Sequence, residues 1–118
     1  MKEPGPDHPI DIAPHAKTVR VSVGGRVIAE TIRALCMAES SYPPVYYVPR
    51  ADVDMAALGR TDHSTYCPFK GEASYFSIAT ETGELENAVW SYEEPYPAVA
   101  SIKDHLAFYA DKVEIDAG

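Results

Sequence analysis

The stretch TVRVSVGGRVIAET, residues 18–31, constrains this chain more than any other. Val19, Val21 and Val23 recur every second position, with Arg20 and Ser22 between them. A period of two puts the valines on one face of a half-buried strand and the polar residues on the other. Gly24-Gly25 supplies the positive φ angles of a two-residue hairpin turn, and the return strand runs to about Thr31. A chain that commits this early to a hairpin needs further strands to bury the valine face.

The rest of the sequence offers them. In IRALCMAE a strand continuation or a single turn competes with a short helix. Val45–Val48 form a brief strand between Pro43-Pro44 and Pro49. In RADVDMAALGR, Asp52 is placed to cap a helical turn through Leu58, with Gly59 ending it. EASYFSIAT, ETGEL and ENAVWSY read as strand, turn and strand. Pro97 suits the first turn of a helix carrying Val99, Ile102 and Leu106. AFYA and VEIDA are expected to close a final hairpin across Asp111-Lys112. Seven or eight short strands with one or two short helices make a mainly β, antiparallel domain. Residues 1–9, with three prolines and a glycine, read as a flexible tail, and residues 10–118 as a single domain.

Bulk properties narrow the partners. At 118 residues the chain fits one domain with a real core. Its net charge of −8 disfavours nucleic acid and anionic membrane surfaces. No apolar run approaches the ~20 residues of a membrane span, and MKEPGPDHPIDIAPH has no apolar core of a signal peptide. A cytoplasmic location is expected, with Cys36 and Cys67 as reduced thiols.

The candidate chemistry lies in TDHSTYCPFKGEASY, residues 61–75. Pro68 is favoured at the second position of a β-turn from Cys67 to Lys70. Such a turn could bring the Lys70 ammonium near the Cys67 sulfur and stabilise a thiolate. If residues 63–67 are extended, His63 and Cys67 share a face but lie ~13 Å apart, so a direct dyad needs a turn between them. Set against this, the proline and glycine serve a bend and Cys67 is a small core residue. Cys36, between Leu35 and Met37, reads as core. Asp52 and Asp54 read as a helix start.

Trp90 and Tyr92 share a strand face, with Asn87 opposite. A pocket walled by tyrosine and tryptophan, anchored by Lys70, Arg50 and Asn87, suits a small acidic or aromatic ligand. No P-loop, GxGxxG or GxSxG is present, and no CxxC supports zinc. No cofactor and no metal is expected.

YPPVYYVPRADV, TDHSTYCPFKGEASYFSI and NAVWSYEEPYPAVASIKDHLAFYADKVEI together resemble the bacterial domain-of-unknown-function family 427, over roughly residues 8–116. The family is sometimes labelled nucleotidyltransferase-like. The resemblance implies a β-tent-like fold of two antiparallel sheets meeting at an angle. Other β-tent proteins include sulfoxide reductases, and many of them hold zinc on two CxxC pairs that this chain lacks. The motif positions are Arg50, Asp52, Thr65, Cys67, Lys70, Gly71, Tyr75, Asn87, Trp90 and Tyr92. Three readings follow. The first is a small-molecule binding domain, with Arg50, Thr65, Lys70, Tyr75, Asn87, Trp90 and Tyr92 around the ligand. The second is an enzyme with Cys67 as nucleophile, Lys70 stabilising it and His63 moving protons. The third is a structural or self-associating domain, such as a homodimer.

Overall fold

The early hairpin forms as the alternation requires. A computed structural model describes residues 1–118. β1 spans Ile10–Pro14, β2 Val19–Val23, β3 Arg26–Thr31, β4 Leu35–Glu39 and β5 Val45–Tyr47. β6 spans Leu58–Cys67, β7 Gly71–Thr80, β8 Gly83–Ser91, β9 Ala107–Phe108 and β10 Glu114–Asp116. Val23 pairs with Arg26 across Gly24 and Gly25, whose φ angles are +56° and +82°. Glycine takes such angles without steric cost, which suits a Gly-Gly pair to this hairpin turn. A register shift after Val21 lets Ile28 and Ala29, adjacent in sequence, both turn inward.

All pairing is antiparallel, and the fold is mainly β. The strands form three sheets where two were expected: β1-β4-β5, β10-β2-β3 and β6-β7-β8-β9. The four-stranded sheet is the centre. Along β7, Ala73 and Tyr75 pack with Met37 and Tyr47 of the β1-β4-β5 sheet. Phe76 and Ile78 pack with Val19, Val21 and Ile28 of the hairpin sheet. Each flanking sheet therefore covers part of one face of the central sheet.

Four expectations are corrected. The helix from Pro97 is a short 3-10 segment, Pro97–Ile102, interrupted at Val99. Val99 and Ile102 are both fully buried. Asp52 caps nothing: two 3-10 turns, Arg50–Asp52 and Met55–Ala57, replace the expected helical turn. Leu58 and Gly59 begin a ten-residue strand. AFYA and VEIDA do not pair. β9 joins β8, and β10 crosses to the free edge of β2, where Ile115 pairs opposite Val21 and extends the hairpin sheet. Residues 1–9 contain no helix or strand, but the Lys2 N–H donates to the Pro68 carbonyl at 2.7 Å. No helix is long and apolar enough to cross a membrane.

Candidate functional site

The stretch 61–75 is the hairpin of β6 and β7. Cys67 pairs with Gly71, and the Lys70 N–H donates to the Cys67 carbonyl at 3.2 Å, which closes the turn at Pro68. Gly71 holds φ +109°, a conformation that strains any side chain. A Cβ there would sit 3.4 Å from the Glu94 carbonyl oxygen.

The turn forms, but its lysine goes elsewhere. Lys70 Nζ donates to Glu39 Oε1 at 2.6 Å, and both side chains are only 13% exposed. His8 takes the other carboxylate oxygen at 2.7 Å while its ring stacks on Phe69 at 4.0 Å. The ammonium also lies 5.6 Å from the centre of the Tyr92 ring. Burial pushes the Glu39 carboxyl up, but hydrogen bonds from Lys70 and His8 outweigh it and hold the group below its ordinary range. The expected ammonium–sulfur pair is thus replaced by an ammonium–carboxylate pair. Cys67 is half-buried against the core of Met37, Tyr47, Ala73 and Tyr92. His63 stands at the register break of β6, its ring edge-on to Tyr75 at 4.5 Å.

Around Tyr75 the side chains converge. Tyr75 and Trp90 are direct cross-strand partners. The hydroxyls of Thr65 and Tyr75 are hydrogen-bonded at 3.0 Å, and those of Tyr75 and Tyr109 at 3.4 Å. Trp90 tilts against Tyr109 with ring centres 4.6 Å apart, and its Nε1–H donates to the Tyr47 hydroxyl at 3.4 Å. The result is a strip of rings and hydroxyls across the central sheet, from exposed His63 through half-buried Trp90 to Tyr109 at the surface. Burial, and then the hydrogen bond with Tyr75, push the Tyr109 phenol up to about 12. Burial likewise raises Tyr47 and Tyr92. These phenols are uncharged at neutral pH.

Arg50 and Asn87 stand apart from the strip. Arg50 donates to Ser91 Oγ at 3.1 Å, Glu93 Oε2 at 3.2 Å and the Asp104 carbonyl at 3.2 Å. It shares Glu93 with Arg60, and both guanidiniums lie near the Phe76 ring, at 5.7 and 5.6 Å. Hydrogen bonding from Arg60 chiefly holds the Glu93 carboxyl down at about 2. Asn87 adopts φ +51°, an angle asparagine tolerates better than most residues. Its N–H donates to Ser77 Oγ at 3.1 Å, and its Oδ1 accepts from Thr61 at 2.7 Å. Both anchors are spent on structure.

The structure therefore brings His63, Thr65, Tyr75 and Trp90 together. It sets Cys67, Lys70 and Tyr92 in the adjoining core and removes Arg50 and Asn87. Sequence reasoning missed four members. Tyr47 and Tyr109 were visible as aromatics on or beside strands, but nothing placed them beside Trp90. Glu39 and His8 carried no local signal, because each meets its partners only through tertiary packing. No curated protein matches the sequence. A family model described as a domain of unknown function, DUF427, matches residues 11–117, nearly the whole chain, and the protein belongs to that family.

Proposed function

We propose that the protein is a small-molecule binding domain, and that its site is the strip formed by His63, Thr65, Tyr75, Trp90 and Tyr109. The observation that supports this is the run of linked hydroxyls from Thr65 through Tyr75 to Tyr109, lying beside the Trp90 ring. Rings that stack, next to hydroxyls that donate and accept, suit a planar heteroaromatic ligand with polar edges. An acidic ligand fits less well. Lys70 and Arg50 already hold carboxylates of the chain itself, and the net charge of −8 repels anions. The nucleophile reading lacks its activator, since the Lys70 ammonium is bonded to Glu39. The two free cysteines fit a reducing compartment such as the bacterial cytoplasm.

Trp90 is the only tryptophan, so its emission reports on the site directly. Titration with a purine, a pyrimidine, nicotinamide, a flavin and indole is expected to give saturable quenching by at least one of them. Saturation at ~100-fold over Kd should add about 2.7 kcal/mol to stability, read as a rise in Tm. Tyr109→Ala should weaken both responses. If no probe changes emission or Tm, the strip is only a core margin and the proposal fails.

A further inference from the structure

The other face of the central sheet holds a second constellation, unrelated to the strip. Beyond Phe76 the hairpin sheet no longer covers this face, and a cavity of about 450 Å³ opens beside the ends of β6 and β7. Tyr66 and Tyr96 form one corner. Their ring planes meet at 80° with centres 6.3 Å apart, and their hydroxyls are hydrogen-bonded at 2.8 Å. Tyr66 is 59% exposed, so its ring faces open space rather than the core. The Tyr96 N–H donates to the Lys70 carbonyl at 3.0 Å, which pins the loop carrying Tyr96 onto β7.

Charge in the cavity is lopsided. Arg60 is the basic group there, and Glu93 neutralises it through two hydrogen bonds at 3.0 and 2.6 Å. Glu72 is the cross-strand partner of Tyr66, and Glu94 lines the same cavity. Neither makes an ion pair. Two perpendicular phenol rings with two unpaired carboxylates beside them attract a positive group. An anion would find only Arg60, already bonded to Glu93, against the charge of Glu72 and Glu94. The residues do not group as ligands for a metal ion, which needs three or more close donors.

We propose that this cavity binds an organic cation, an alkylated ammonium whose charge faces Glu72 and Glu94 and whose methyl groups lie against Tyr66 and Tyr96. Ring faces carry the negative end of the aromatic quadrupole, and a poorly hydrated quaternary ammonium gains most from them. The overall charge of −8 favours the approach of a cation.

Choline and its neutral isostere 3,3-dimethylbutanol separate charge recognition from simple burial. Amide chemical shifts of the isotopically labelled protein are followed at constant ionic strength, with sodium chloride as the reference. Choline is expected to give saturable shifts confined to the segments around Tyr66, Glu72 and Tyr96, and the alcohol none. Tyr66→Leu, at an exposed position where the fold tolerates change, should weaken choline binding about two- to fivefold. Glu72→Gln with Glu94→Gln should remove the preference for the cation over the alcohol. Equal shifts with the alcohol would reduce the cavity to an apolar crevice. Shifts spread over the acidic surface, or matched by sodium chloride, would show counterion screening alone and overturn the proposal.

Discussion

Replacing Lys70 by methionine tests the reassignment of its ammonium. The substitution keeps the apolar stem and removes the charge that meets Glu39 at 2.6 Å. Glu39 would remain 13% exposed with only His8 as a partner. Breaking one side of a fully buried ion pair costs 3–5 kcal/mol. Residual exposure and the His8 hydrogen bond reduce this to about 2–3 kcal/mol, a fall in Tm of roughly 10 °C for a domain of this size. Glu39→Gln should cost a similar amount, because it strands the ammonium over the Tyr92 ring. The double variant should cost no more than about 1 kcal/mol, since no unpaired charge is left. Urea denaturation of the four proteins gives the coupling energy directly, expected at about 4 kcal/mol, the two single costs less that of the double variant. Additivity within about 0.5 kcal/mol would refute the pairing and return Lys70 to the candidates for a free cation beside Cys67. Ligand-induced changes in Trp90 emission should survive Lys70→Met, because the lysine lies in the core beside the strip.

Two further outcomes follow from the geometry. Glu93 falls from an ordinary 4.5 to about 2 in the folded chain, so between those values the unfolded chain binds more protons and stability rises with pH. The full shift corresponds to about 3 kcal/mol, and solvent screening around the half-exposed Arg60 reduces it to about 1–2 kcal/mol. That contribution is complete above pH about 4.5 and fades towards pH 2, so the stability gap between the wild type and Glu93→Gln should narrow over this range; parallel denaturation curves would refute it. Gly71→Ala forces a side chain into φ +109° against the Glu94 carbonyl and should cost about 1–3 kcal/mol in urea denaturation; a neutral result would mean that the turn relaxes without strain.

The hairpin of residues 19–31, the turn at Pro68 and the β7–β8 pair were legible because each is local. Alternation, a Gly-Gly pair and a proline-led turn act within a few residues, and no distant contact has to agree with them. The segment from Pro97 misled because its apolar spacing fits an α-helix as well as it fits a 3-10 turn. The backbone leaves helical angles at Val99, so the segment becomes two short turns with Val99 and Ile102 both buried. The last two strands misled for a related reason. A hairpin across Asp111-Lys112 satisfies its own backbone, but pairing β9 with β8 and β10 with β2 also extends two sheets over the core.

The sequence by itself determined a mainly antiparallel β chain, the turn at Pro68 and the aromatic character of the strands that carry Tyr75 and Trp90. The tertiary structure alone decided where the charges went. Glu39 lies 31 residues from Lys70, and Glu93 lies 43 from Arg50. Side-chain periodicity specifies which face a residue takes, but an ion pair depends on which sheet is laid against that face. Packing the β1-β4-β5 sheet onto the central one set Glu39 over Lys70, and so assigned to the core an ammonium that the local sequence offered to a sulfur.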